Sequence, residues 1–193
     1  MFRLIFLLLL LNFHQPVFTT EDTISQAVAR YLNRIHKYME EEDWINAERE
    51  LKQTARRYFK NEDSYERALI NQLYGQFFAL QRDYKNAIPW FEKAIAKGRL
   101  PFAADLQVSY SLAQCYFQTG NYKDVIDTLE NYRIKASKRG QNMAPVQLMV
   151  LGIAYFQEQD ISNAYLNISE ANATSTKLNE EWLQYEFALA VKL

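Results

Sequence analysis

A chain of 193 residues, 49% apolar and 15% aromatic, has room for one domain or a short stack of repeats and material enough to bury a core. Its 5 Gly and 4 Pro exclude a loop-rich or disordered chain. A formal charge of -1 carries no electrostatic footprint for nucleic acid, and 2 His and 1 Cys leave little material for metal or nucleophilic chemistry.

The first twenty residues follow rules of their own. Arg3 precedes a continuous apolar run from Leu4 to Leu11, and polar residues and Pro16 follow. The run is far shorter than the roughly 20 residues that cross a bilayer. Residues 1–20 therefore read as a secretory signal peptide, with cleavage expected at Val17-Phe18-Thr19 or Phe18-Thr19-Thr20. Neither site has the small-x-small alanine pattern, so an uncleaved anchor stays open, as does a buried core helix. No Cys lies near the end of the run, which speaks against a lipoprotein. Cys115 is the sole cysteine, so an exported chain can form no internal disulfide.

From residue 21 onward the chain repeats itself. Asp43-Trp44-Ile45-Asn46-Ala47, Asp83-Tyr84-Lys85-Asn86-Ala87, Asn121-Tyr122-Lys123-Asp124-Val125 and Asp160-Ile161-Ser162-Asn163-Ala164 share one pattern. Each opens on Asp or Asn, continues with a large apolar residue, and ends on a small or medium one. Successive copies lie about 39 residues apart, the period of a helical array. Before Ala87, the residues Leu69, Leu73, Phe77 and Leu80 share one helical face; after it, Ile88, Phe91, Ala94 and Ile95 do the same. The opening Asp or Asn caps the second helix, and Thr23 with Gln26 forms a capping box for the first. Pro101 and Pro145 mark helix starts, while Gly98 and Gly120 mark stops. Pro89 falls a turn inside a helix and is expected to kink it. The approximate repeats are 28–60, 65–98, 102–139 and 145–178, with a final helix over 180–193. That helix is aromatic and apolar rather than polar-faced. It caps imperfectly, docks on a partner, or belongs to a longer repeat protein.

These residues resemble the tetratricopeptide repeat, from Tyr74-Gly75, Phe78, Ala87, Phe91 and Ala94 through Leu112-Ala113, Tyr116, Val125 and Leu129 to Leu151-Gly152, Tyr155, Ala164, Ile168 and Ala171. The first repeat is degenerate, with Ile35 and Thr54 at small-residue positions. The resemblance implies an all-α fold, a right-handed α-solenoid of antiparallel helix pairs with about four repeats and one terminal helix. It also implies that the first helices of each pair line a concave wall. Counting from the repeat register, the exposed positions of that wall are Leu69, Gln72, Gln76, Ala79 and Leu80; Gln107, Tyr110, Gln114, Phe117 and Gln118; and Val146, Met149, Ile153, Phe156 and Gln157. The candidate partner-binding set is Gln72, Gln76, Tyr110, Gln114, Phe117, Met149, Phe156 and Gln157. Amides donate to and accept from a peptide backbone, and aromatic rings add contact area at low entropic cost. The alternative is that apolar members such as Val146, Met149 and Ile153 belong to the core.

The expected partner is a peptide segment or helix of an envelope protein complex, with no nucleic acid and no membrane contact except through the signal segment or a partner. No cofactor, metal or catalytic activity is expected. His36 reads as a solvated or groove residue, Glu40 to Asp43 as a solvated turn, and Lys135 to Arg139 as positive charge at a helix C-terminus. Asn167-Ile168-Ser169 and Asn172-Ala173-Thr174 match glycosylation acceptors. The stretches Ser111-Leu112-Ala113-Gln114-Cys115-Tyr116-Phe117, Gly120-Asn121-Tyr122 and Glu180-Glu181-Trp182-Leu183-Gln184 resemble the periplasmic tetratricopeptide component of bacterial TonB-type systems. That resemblance implies a periplasmic scaffold that serves an inner-membrane motor complex and supports uptake across the outer membrane. Alternatives are a scaffold of another envelope machine (outer-membrane assembly, secretion or cell-wall synthesis), a cytosolic co-chaperone, or a hydrolase.

Overall fold

The computed structural model describes residues 26–58, 64–176 and 179–193. The expected signal peptide at residues 1–20 and Thr23 of the expected capping box lie outside them. Every regular element among the described residues is an α-helix: α1 (Gln26–Glu40), α2 (Trp44–Tyr58), α3 (Tyr65–Leu80), α4 (Tyr84–Ile95), α5 (Phe102–Thr119), α6 (Tyr122–Ser137), α7 (Pro145–Gln157), α8 (Ile161–Thr174) and α9 (Glu180–Ala190). The main contacts run between chain neighbours, with α1 on α2, α2 on α3 and so on to α8 on α9, and α5 also touches α7 lightly. That is the contact pattern of a solenoid.

One turn, used four times, joins the two helices of a pair. Glu42, Arg82, Gly120 and Gln159 all take positive φ, from 55° to 77°. The residue after each sends its backbone N–H back five positions: Asp43 to the Tyr38 carbonyl, Asp83 to Phe78, Asn121 to Tyr116 and Asp160 to Tyr155, at 2.8 to 2.9 Å. This is a Schellman closure of the first helix. The same residue then caps the second. Asp43, Asp83 and Asp160 each accept the backbone N–H of an Asn three positions on, at 3.1, 3.3 and 3.0 Å, through Oδ1. Each also accepts that Asn side-chain amide through Oδ2. In the third pair the acid and the amide have changed places, Asn121 with Asp124, and Asn121 makes no side-chain cap bond.

Small residues set the distance within each pair. A methyl built on Gly75 would lie 2.5 Å from the Phe91 ring, and one on Gly152 would lie 2.6 Å from Ile168 and 3.1 Å from the Ala164 carbonyl. Ala113 holds the same place in the third pair and is fully buried. From the second helices, Ala47, Ala87, Val125 and Ala164 are sealed, as are Leu51, Phe91, Leu129 and Ile168 one turn on. Burying each of those large side chains contributes roughly 1.5–3 kcal/mol. Repeat one departs from the pattern. Ile35 replaces the small residue, and Thr54 is buried with its hydroxyl unpartnered.

Successive pairs are tied by contacts that also recur. The Tyr116 hydroxyl donates to Glu92 on the preceding α4, and the Tyr155 hydroxyl donates to Glu130 on α6 at 3.1 Å. Burial and the facing carboxylate push both phenols up, Tyr155 to about 12. Between the first two pairs the equivalent positions are Lys52 and Phe78, and an edge-on Trp44–Phe77 contact at 6.1 Å serves instead. The basic stretch after Ile134 does more than complement a helix dipole: Lys135 pairs with buried Asp105 at 2.6 Å, and Arg139 lies over the Phe102 ring. Helix α4 continues through Pro89, whose side chain faces solvent. Both glycosylation-like asparagines are engaged on α8. Asn167 is buried against Arg133, and Asn172 donates to Glu186 and the Trp182 carbonyl.

The turn geometry predicts opposite effects for glycine at equivalent places. A non-glycine residue at positive φ costs on the order of 1 kcal/mol. Gly120→Ala should destabilise by about 1 kcal/mol, and Arg82→Gly should stabilise by about 0.5 to 1 kcal/mol, read from urea denaturation. The caps predict an acid limb. Hydrogen bonds from Asn46 and from Asn163 hold the Asp43 and Asp160 carboxyls below the usual carboxylate range. A lowered folded pKa means stability fully present above the unfolded value near 3.9, then lost as pH falls through the folded value. Thermal midpoints should drop below about pH 4, and less steeply in the Asp43→Asn/Asp160→Asn double variant.

Candidate protein-interaction groove

The first helices of the pairs, α1, α3, α5 and α7, stand side by side, and the repeat register aligns their residues into rows across the wall. One row is Leu32, Gln72, Tyr110 and Met149. The next, a turn along, is His36, Gln76, Gln114 and Ile153. A third is Met39, Ala79, Phe117 and Phe156, and the last is Glu40, Leu80, Gln118 and Gln157.

The structure corrects the exposure expected of this wall. Gln72, Gln76 and Gln114 are buried at 6%, 5% and 7% exposure, and Leu69, Ala79 and Met149 are buried with them. Tyr110, Phe117, Ile153 and Phe156 are half-buried, and Gln118 and Gln157 are exposed. The reason is positional. Helix α3 packs between α2 and α4, and α5 between α4 and α6, so mid-helix residues there are enclosed from both sides. Residues in the last turn, where Phe117, Gln118, Phe156 and Gln157 sit, stay near the edge of the wall. Met149 joins the core, as the apolar alternative had it.

Burial without partners is the chemically informative feature. Gln72 Oε1, Gln76 Oε1 and Asn71 Oδ1 on α3 are inaccessible to water and make no hydrogen bond, and the Tyr110 hydroxyl on α5 is equally sealed, with the Gln114 amide beside it. An unpaired buried acceptor costs about 1–3 kcal/mol, so side chains of this kind are expensive to keep. Burial, opposed only in part by the Gln114 amide, pushes the Tyr110 phenol up to about 12. The phenol is therefore protonated and available to donate at neutral pH. His36, half-buried in the same wall, is lowered below the usual imidazole range by burial, with Glu40 acting the other way. The rows of the middle repeats are thus neutral, with amide, phenol and aromatic groups. The accessible aromatic part lies at the last turns of α5 and α7. There Phe117 meets Tyr122 edge-on at 5.6 Å, and Lys192 from beyond α9 lies over the Phe156 ring.

Other chemistry is sparse. Cys115 is buried in apolar surroundings that push its thiol up to about 12, far from a reactive thiolate. Among the described residues no group of three or more His, Cys, Asp or Glu could hold a metal ion. Sequence reading missed the Tyr–Glu ties between pairs. Their signal was present, since Glu92 and Glu130, like Tyr116 and Tyr155, recur at the repeat spacing.

The architecture is that of a tetratricopeptide-type α-solenoid, and comparison with known proteins gives the same fold. Residues 80–141 match the family model described as anaphase-promoting complex, cyclosome, subunit 3. No curated protein matches the chain. Among solved structures, MamA from Desulfovibrio magneticus RS-1 superposes with a TM-score of 0.68 at 18% identity, covering 88% of this chain and 87% of that one. The TPR-like repeats of a putative kinesin light chain from Podospora anserina reach 0.62 at 16% identity, covering 86% and 84%. PilW, a type IV pilus biogenesis factor, reaches 0.52 at 16% identity, covering 87% and 86%.

If the unpaired acceptors are retained for binding, stability should rise when they are removed. Gln76→Met keeps volume and deletes the acceptor, and should stabilise the chain by roughly 1 kcal/mol in urea denaturation. An unchanged or lowered midpoint would show that the Gln76 amide is satisfied in solution.

Proposed function

We propose that this chain is an exported, non-catalytic scaffold that holds an uncharged peptide segment or helix of another envelope protein along the wall of α3, α5 and α7. The observation that carries the reading is the neutral, accessible edge of the wall, where the half-exposed rings of Phe117 and Phe156 stand beside the exposed amides of Gln118 and Gln157. Such groups answer backbone N–H donors and apolar side chains. A clamp for a carboxylate or phosphate would instead present Lys and Arg at these places.

Export rests on Arg3 and the apolar run from Leu4 to Leu11. The narrower assignment, an accessory component of a TonB-dependent outer-membrane uptake system in the periplasm, rests on the likeness at Ser111–Phe117, Gly120–Tyr122 and Glu180–Gln184. A second reading, a scaffold of another envelope machine, is favoured by the structural likeness to PilW, which is described as a pilus biogenesis factor.

Both parts are measurable in cells. A fusion to a reporter active only outside the cytoplasm should light up and should go dark when residues 1–20 are deleted. A photo-crosslinker at Gln157 should capture a discrete envelope protein, and Phe117→Ala/Phe156→Ala should reduce that product at least tenfold. A crosslinker at Lys93, on α4 away from the wall, should not capture it. A cytoplasmic reporter would remove the export assignment, and equal capture from both sites would remove the groove.

A further inference from the structure

Charge in this chain is sorted by edge. Paired helices run antiparallel, so the tight turns within pairs gather at one edge of the solenoid and the loops between pairs at the other. The turns at 41–43, 81–83, 120–121 and 158–160 hold six acids and one base. The two loops that flank the third pair, 96–101 and 137–144, hold four bases and no acid. Those bases are Lys97, Arg99, Lys138 and Arg139, and all four are exposed.

The structure brings those two loops together, although the whole third pair separates them in sequence. Arg139 reaches over the ring of Phe102, the first residue of α5, at 4.7 Å, and Lys135 pairs with Asp105 at 2.6 Å. Both contacts draw the end of α6 onto the start of α5, where the preceding loop arrives. Asp105 is buried beneath them, so its charge answers Lys135 and not the surface. A helix dipole accounts for bases at a last turn, as with Lys93 and Lys135. It does not account for Arg99, which lies past the left-handed turn at Gly98. The four bases thus form one patch that neither loop makes alone.

We propose that this basic edge seats the chain on the anionic headgroups of a bilayer, with the rim of the groove turned away from the lipid. The chain as a whole carries a formal charge of -1, so a negative plane attracts it only through charge that is sorted. Such a plane is wider than the edge. It engages both loops at once and repels the acidic turns, which fixes one orientation. Phe117, Gln118, Phe156 and Gln157 sit in the last turns of α5 and α7, next to those acidic turns, and so stay open to a protein partner. An acidic peptide would gain from the two loops but nothing from the acids opposite. The bilayer is the occupant that uses the whole charge pattern, and it does so whatever the groove binds.

The test is co-sedimentation of the full chain with vesicles of phosphatidylcholine alone and with vesicles that also hold phosphatidylglycerol. The apolar run from Leu4 to Leu11 can reach both, so the difference between the two is the readout. Binding should favour the anionic vesicles roughly tenfold at low salt. The preference should vanish at about 1 M salt, where the screening length is about 3 Å. Arg99→Glu/Lys138→Glu should remove the preference. Lys85→Glu/Lys123→Glu, the same charge change beside the acidic turns, should keep it. All four residues are exposed, so helix content by circular dichroism should survive in both variants. Equal binding to the two kinds of vesicle, or equal loss in the two variants, would overturn the proposal. Displacement by inorganic phosphate at the same charge concentration would overturn it in favour of a single-anion site, and tighter binding to polyglutamate would do so in favour of an acidic protein.

Discussion

Two helices can pack at the distance seen here only where a side chain is nearly absent. Gly75 faces Phe91 and Gly152 faces Ile168, and in both places a methyl group would overlap the partner. That constraint propagates. Close contact within a pair lets Ala47, Ala87 and Ala164 seal against the first helix, and it leaves the larger residues to fill the seam between pairs. The seam then needs directional ties. The Tyr116–Glu92 and Tyr155–Glu130 bonds supply them at the two junctions where both residues are present. Pair distance, seam filling and seam bonding are therefore linked, and the linkage makes the array a continuous solid rather than four loose hairpins.

The turn between paired helices follows the same economy. A single residue closes one helix by its backbone and caps the next by its side chain, so Asp43, Asp83 and Asp160 each satisfy a carbonyl on one side of the turn and an N–H on the other. Only the third pair places glycine at the left-handed position, and the same pair lacks the side-chain cap. Local stability is distributed unevenly for this reason. Repeat one combines Ile35 at the close-approach position with the unpartnered Thr54 hydroxyl and Glu42 at positive φ. In a nearest-neighbour array such a repeat is the part that opens most readily. The same pair of positions can also be filled by different physics: Arg34 with Glu50 is an ion pair at 2.9 Å, and Tyr74 with Trp90, one repeat on, is a ring stack at 4.3 Å.

The wall of first helices draws its character from neutrality. Amides enclosed without partners are costly, and a structure that keeps them is not optimised for stability alone. A purely structural wall would carry an apolar residue at the Gln72 position, as Leu32 and Met149 do in the same row.

Much of the fold could be read from the chain itself, because helix pairing depends on side-chain size and size recurs with a period. The Asp-to-Ala segments, the small residues at 75, 113 and 152, and Pro101 and Pro145 at helix starts are local signals, and local signals survive without coordinates. Site exposure was not local. Gln72, Gln76 and Gln114 lie on the expected rows, yet their burial depends on the helices packed on either side, one of which belongs to the preceding repeat. Three-dimensional packing alone also decided that the Lys135 charge answers Asp105 and that Arg133 meets Asn167. Sequence period determines which residues share a face; only the assembled superhelix determines what that face meets.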